Sequence, residues 1–328
     1  MMKLHFDGEQ NPAYCDGFMT QEGIFSLVSL LNHCLYPYFC TSKITIVMFS
    51  TEELAAMLAF YEEEKVRVAS QLKHIEQTLR KLKGKNVVIT GGSKGIGRAS
   101  AIAMASEGAN IAICARGRDS LEATSSQLEA MNVNVFSRST DVANPEELTA
   151  FLDESREKLG SVDILINNTS GFGMTDDEAG WKVSIDIDLM ASVRATQQVI
   201  PWMEKAGGGS IIHVSSISGL ESGSPPAYSA VKAALFNYTK TTANLVASKN
   251  IRVNCIAPGS IYFKDGFWDV VLKNDKDMFD SIVASIPFGR MGTPEEIADV
   301  ITFMASPRAQ WASGATLVVD GVQHKGIY

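Results

Sequence analysis

Cysteine is scarce in this chain: Cys15, Cys34, Cys40, Cys114 and Cys255 are scattered over 328 residues, with no CxxC pair and no Cys/His cluster at ligand spacing. That spacing excludes a disulfide framework and a bound metal, and points to free thiols in a reducing, cytoplasmic compartment. Positive charge is short as well. Lys and Arg total 29 against 37 Asp and Glu, a formal net charge of −8 that would repel a phosphate backbone over most of the surface, so nucleic acid is excluded as a main partner. A long apolar run is also missing. The nearest approach, "IFSLVSLLNHCLYPYFCTSKITIVMF" at 24–49, is interrupted by Asn32, His33, Pro37 and Lys43. It therefore predicts no membrane span, and without a basic start or a small-residue cleavage site it does not read as a secretory signal.

An apolar content of 45% suffices for a substantial core. Residues 1–49 carry no hydrophobic period and are expected to be an irregular or disordered extension. At Ser50 the text changes. "STEE" offers a capping box between Ser50 and Glu53. Beyond it Leu54, Leu58, Tyr61, Lys65, Val68, Leu72, Ile75, Leu79 and Leu82 recur in steps of four and three. This heptad pattern predicts a helix over 50–83, either an amphipathic helix laid on its own subunit or a coiled coil between subunits.

From residue 84 to residue 328, short apolar runs alternate with helical stretches: "KNVVIT" (85–90), "NIAICA" (110–115), "NVNVFS" (132–137), "VDILIN" (162–167), "SIIHVS" (210–215), "IRVNCI" (251–256) and "TLVVD" (316–320). Continuous apolar strands separated by helices predict an α/β fold, a Rossmann-type doubly wound parallel sheet of about seven strands, here with an added N-terminal helix. Ligands of such sheets bind beyond the carboxyl ends of the strands, where strand order reverses.

Directly after the first of these strands comes "TGGSKGIG", Thr90 to Gly97. Gly91, Gly95 and Gly97 would let the backbone turn sharply and approach a pyrophosphate; with Ser93, Lys94 and Ile96 they lead into a helix N-terminus that offers free N–H groups. The second strand ends "ICARGR", with Arg116 and Arg118 and no acid to accept a ribose 2′-hydroxyl. Together with Lys94 these cations suit a 2′-phosphate, so NADP(H) is favoured over NAD(H).

In "PPAYSAVKAAL" (225–235), Tyr228 and Lys232 lie one helical turn apart on one face. Tyr61 and Lys65 share that spacing within the heptad stripe, so spacing alone does not identify chemistry. Position does: Tyr228 follows a serine-rich strand end. Lowering a phenol from a pKa of about 10 to about 7 needs roughly 4 kcal/mol. One cation about 4 Å away at an effective dielectric of about 20 supplies roughly that.

Over 84–328 the chain resembles the short-chain dehydrogenase/reductase family, and within it the 3-oxoacyl carrier-protein reductase and carbonyl reductase branch. The TGxxxGxG loop, Asp141 in "STDVAN", Asn167 and Asn168, the YxxxK pair and Pro258–Gly259 occur in the family's order. The resemblance implies that Asp141 and Val142 contact the adenine, Asn167 the neighbouring ribose side, and Pro258, Gly259 and Ile261 the nicotinamide carboxamide. It makes Tyr228 the acid/base, with Lys232 as its partner and anchor to the nicotinamide ribose. A serine would bind the substrate oxygen: Ser216 keeps the family's spacing to the next glycine, whereas Ser215 keeps the separation from Tyr228. The catalytic asparagine of the family is replaced by Asp188, "NNAG" reads "NNTSG" with Ser170, and the threonine after "PG" is replaced by Phe263.

The aromatic stretch Tyr262, Phe263, Phe267 and Trp268 occupies the family's substrate lid. The expected protein is an NADP-dependent carbonyl/secondary-alcohol oxidoreductase, acting on a small apolar, ring-bearing or 3-oxoacyl substrate and assembled as a homodimer or homotetramer. The alternative, motivated by Asp188 and the serine spacing, is a catalytically weak NADP-binding sensor or scaffold.

Overall fold

The computed structural model describes residues 2–6, 44–48, 51–79 and 81–327. By spatial contact the chain divides into two compact units, Met1–Glu76 and Gln77–Tyr328. In the first unit, strands β1 (Met2–Phe6) and β2 (Ile44–Met48) pair antiparallel, with Met2 opposite Met48 and Phe6 opposite Ile44. This differs from the irregular extension expected over 1–49. Two five-residue strands so far apart in sequence leave no local period to read. Cys15, Cys34 and Cys40, with most of the apolar stretch 24–49, lie outside the described residues. Helix α1 (Thr51–Leu79) follows the heptad segment. Among the described residues, no helix is long and apolar enough to cross a membrane.

The second unit is built on seven strands: β3 (Asn86–Thr90), β4 (Asn110–Ala115), β5 (Val135–Ser139), β6 (Ile164–Asn167), β7 (Gly209–Val214), β8 (Ile251–Pro258) and β9 (Thr316–Val319). They form one sheet of order β5-β4-β3-β6-β7-β8-β9, parallel throughout. The expected third strand begins later than its apolar run. Asn132 adopts a left-handed φ of 58° in the turn after the preceding helix, so pairing starts at Val135.

Alternation along the strands sends side chains to two faces. Val87, Ile89, Ile111, Ile113, Ile164 and Ile166 join one core cluster, packed under α2 (Gly95–Ser106), α3 (Arg118–Glu129) and later α10 (Pro294–Ala305). Val88, Ala112, Leu165, Ile211 and Val253 join the other, under α4 (Pro145–Leu159), α6 (Ala191–Lys205) and α7 (Pro226–Val246). Between β6 and α6 run α5 (Glu178–Val183) and a π-helical turn, Ser184–Met190. After β8 the chain forms α8 (Phe267–Asn274) and α9 (Lys276–Ser285). Burial on both faces explains why the strands read as unbroken apolar runs.

Phe151 of α4 has no solvent exposure and stacks on Phe136 of β5, with centroids 6.2 Å apart. Phe151→Ala should cost about 3–5 kcal/mol by transfer and cavity terms, read as a lowered denaturant midpoint at unchanged slope.

Candidate active site

The order of strands reverses between β3 and β6, whose last residues, Thr90 and Asn167, are register partners. The segments leaving these two strands therefore part at the sheet's carboxyl edge and open a crevice. Gly91 (φ 70°) and Gly95 (φ 50°) take left-handed conformations in the loop after β3. A Cβ on Gly97 would stand 2.2 Å from the Gly91 carbonyl oxygen, so only glycine lets α2 start this close to the loop. Asn168, to which the sequence assigned no task beyond the family's NN pair, locks this turn: its Nδ2 donates to the carbonyls of Thr90 (3.2 Å) and Gly91 (3.0 Å). Thr124 Oγ1 of α3 donates to Ser93 O at 3.1 Å and holds the loop from the other side. The first turn of α2 carries no acidic residue, so its N–H groups and dipole face no competing anion. These residues fit a diphosphate. The Phe263 ring stands against Gly95, whose added Cβ would lie 2.6 Å from it.

Lys94 and Arg116 are exposed, and Arg118 opens α3. Asp141 spends its groups on a turn: its N–H donates to Glu147 Oε2 (2.8 Å) and its Oδ1 accepts from Ala143 N (3.1 Å), while Val142 beside it is buried. Asn167 turns inward. Its Nδ2 donates to Thr196 Oγ1 at 3.1 Å and meets His213 Nδ1 at 3.2 Å, so the side chain serves the interior of the sheet. Pro258 ends β8; beyond it Gly259 N donates to Val319 O (3.1 Å), and Ile261 is buried and paired with Gly292.

The tyrosine–lysine pair lies on α7, entered from the loop after β7. Tyr228 is half-buried in the first turn, whereas the Lys232 side chain is only 2% exposed. The Lys232 ammonium sits 5.6 Å from the Tyr228 ring centroid, donates to Val214 O at 3.1 Å and pairs with Asp188 Oδ1 at 3.1 Å. Burial is the largest influence and pushes the ammonium toward neutrality; the Asp188 charge and hydrogen bond, together with Tyr228 and Cys255, outweigh it and hold Lys232 above the ordinary lysine range. Asp188, in the π-helical turn, has no exposure at all. The same spacing at Tyr61 and Lys65 leads elsewhere: Lys65 pairs with Glu62 at 3.5 Å on an exposed helix face.

The two candidate serines are separated by their partners. Ser215 is buried and donates from Oγ to the Lys232 carbonyl at 2.7 Å, stitching β7 to α7. Ser216 is half-buried and its Oγ accepts from Ser218 N at 3.1 Å, capping a short turn. Beside them stands an aromatic wall. Phe172, held at φ 50° and 45% exposed, stacks on Tyr228 (5.6 Å, 13°) and on Phe267 (5.6 Å, 5°), with Trp268 edge-on to Phe267 at 5.1 Å. Phe172 carried no signal in the sequence beyond its place after "NNTSG".

His213 of β7 is buried beside Asn167 and Tyr238, and burial first, then the nearby Lys232 charge, pushes its imidazole down to about 3. The unfolded chain binds that proton below about pH 6.5 and the folded one does not until far lower. Stability is thus full above pH 6.5 and should decline by about 1.4 kcal/mol per unit as pH falls toward 3. His213→Asn should remove that share of the acid slope in denaturation measured across this window.

The family model described as "Enoyl-(Acyl carrier protein) reductase" matches residues 91–322. Isoepoxydon dehydrogenase of Penicillium expansum is 35% identical over 250 residues, covering 75% of this chain and 96% of that protein. The 3-oxoacyl-[acyl-carrier-protein] reductase of Thermotoga maritima is 33% identical, covering 74% and 98%. Among solved structures, L-sorbose reductase of Gluconobacter frateurii with NADPH and L-sorbose superposes at a TM-score of 0.70, with 35% identity over 76% of this chain and 100% of that one. A 7α-hydroxysteroid dehydrogenase with NADH and 7-oxo glycochenodeoxycholic acid superposes at 0.69, with 31% identity over 74% and 96%. With the glycine loop, the reversal point and the YxxxK pair in the places described, the chain belongs to the short-chain dehydrogenase/reductase family of oxidoreductases.

Proposed function

We propose that the protein is an NADP(H)-dependent oxidoreductase that interconverts a carbonyl and a secondary alcohol, with Tyr228 as acid/base. One observation carries this reading: Tyr228 stands half-buried with Lys232 buried one turn on, at the carboxyl edge of the sheet that bears the glycine loop. The nicotinamide, when bound, supplies or takes the hydride. Tyr228 gives its phenolic proton to the substrate oxygen in reduction and removes it in oxidation. Lys232 provides the cation beside the phenol and reaches for the nicotinamide ribose. Ser216 hydrogen-bonds the substrate oxygen, because the Ser215 hydroxyl is already committed to the Lys232 carbonyl.

The diphosphate would lie on Gly91, Ser93, Gly95, Ile96 and Gly97, the adenine near Asp141 and Val142, and the carboxamide against Pro258–Ile261. Preference for NADP(H) is supported by exposed Lys94 and Arg116 and by the absence of an acid at the end of β4. L-sorbose reductase was solved with NADPH and the hydroxysteroid dehydrogenase with NADH, so the family by itself does not choose. Phe172, Phe267 and Trp268 around Tyr228 support an apolar substrate, ring-bearing or 3-oxoacyl. The same reading takes the protein as a cytoplasmic homodimer or homotetramer, testable by light scattering. The Asp188–Lys232 ion pair favours a second reading, an NADP-binding sensor with weak turnover.

Tyr228→Phe should lower kcat at least 100-fold and leave NADPH binding, followed by thermal shift, nearly unchanged. Lys94→Ala with Arg116→Ala should raise KM for NADPH about tenfold or more, with little effect on NADH, as loss of about 1.4 kcal/mol of phosphate contact requires. NADPH binding with no turnover of ketones, 3-oxoacyl thioesters, steroids or quinones would replace the enzyme by the sensor.

A further inference from the structure

We infer that Asp188, clamped by Ser170, is a positioning residue that cancels the Lys232 charge at Tyr228 and so keeps the phenol ready to donate its proton, suiting the site to carbonyl reduction. This rests on the proposed role of Tyr228 as acid/base.

The geometry joins two residues that look unrelated in sequence. Asp188 lies in the π-helical turn and Ser170 in the segment after β6, yet Ser170 Oγ donates to Asp188 Oδ1 at 2.5 Å and Gly171 N donates to Oδ2 at 3.0 Å. With Lys232 Nζ 3.1 Å from Oδ1, three donors converge on one fully buried carboxylate. The hydroxyl at Ser170 thus supplies what an added buried anion requires: a second side-chain donor besides the lysine.

The charge count around the phenol follows from every element packed there. Tyr228 and Lys232 come from α7, and Asp188 from the π-helical turn. His213 of β7 is neutral, its imidazole pushed down to about 3 by burial and then by Lys232. Cys255 of β8 is a neutral thiol, pushed up to about 12 chiefly by burial. The group is therefore neutral with Asp188 present and would carry one positive charge with asparagine. A lone cation draws the phenol toward phenolate; an adjacent anion withdraws most of that pull. In reduction, a hydride forms the new C–H bond at the carbonyl carbon, the Tyr228 O–H bond breaks, and its proton goes to the carbonyl oxygen. The phenolate left behind recovers a proton from solvent. A site that restores the phenol readily turns over in this direction at neutral pH; the reverse step needs phenolate and is displaced to alkaline pH.

The test follows phenolate formation by near-ultraviolet difference absorbance, native protein minus Tyr228→Phe, and repeats it in the Asp188→Asn background. It needs no substrate. The transition should move toward acid by about one unit or more in Asp188→Asn, and the pH profile of alcohol oxidation with NADP+ should move with it, raising the rate at neutral pH about tenfold. NADPH affinity should stay within about twofold, since the variant keeps the Lys232 ammonium and the glycine loop and removes only the charge of a carboxylate held by Lys232, Ser170 and Gly171. The double variant Ser170→Gly/Asp188→Asn, which removes the orphaned hydroxyl together with the charge, serves if the single variant does not fold. A transition that stays put, or moves toward alkali, in a folded variant overturns the inference. Absence of turnover with every carbonyl would instead overturn the oxidoreductase reading, leaving the titration to decide on Asp188.

Discussion

A lysine side chain with 2% exposure must find its counter-charge and acceptors inside the protein, and most of the site is arranged by that requirement. Lys232 meets it with the carbonyl at the end of β7 and the carboxylate of the π-helical turn. These contacts bind three separate pieces, the π-helical turn, β7 and α7, to one ammonium. Removing a single partner from a buried pair costs about 3–5 kcal/mol, because the other charge is stranded; the intact pair adds far less net stability. Its contribution is to geometry, by holding the ammonium beneath the Tyr228 ring.

The sheet makes that geometry possible. Parallel strands place every loop that follows a strand on one edge, and the reversal at β3 and β6 separates the glycine loop from the segment that carries Ser170. The crevice between them is bounded on one side by backbone N–H groups suited to an anion, and on the other by the aromatic rings of Phe172 and Phe267 stacked about Tyr228. The left-handed backbone of Phe172 is an unfavourable conformation for an aromatic residue, and its ring stacks on both Tyr228 and Phe267.

Much of this was legible in the residues. Six of the seven strands begin within two residues of the apolar runs that marked them, because a strand buried on both faces has no polar alternation to confuse with a loop. The start of β5 was displaced because Asn132 turns the chain before pairing begins. The antiparallel ribbon of β1 and β2 escaped notice because its partners are distant in the chain and each strand is short. Asn167 drew attention as a cofactor residue by family position, while its side chain spends its amide on Thr196 and His213. Asn168 beside it ties down the glycine loop. Asn167 is the last residue of β6 and Asn168 the first beyond it, and a motif does not say which of the two side chains turns inward.

The sequence by itself determined the layered α/β architecture, the glycine loop, and the pairing of Tyr228 with Lys232, since each depends on periodicity or spacing within one element. Only the tertiary structure gave the hydroxyls of Ser215 and Ser216 different partners, brought Phe172 onto Tyr228, and joined Ser170 to Asp188. Those contacts span two elements apiece, and their distances are set by how the strands and helices pack rather than by any count along the chain.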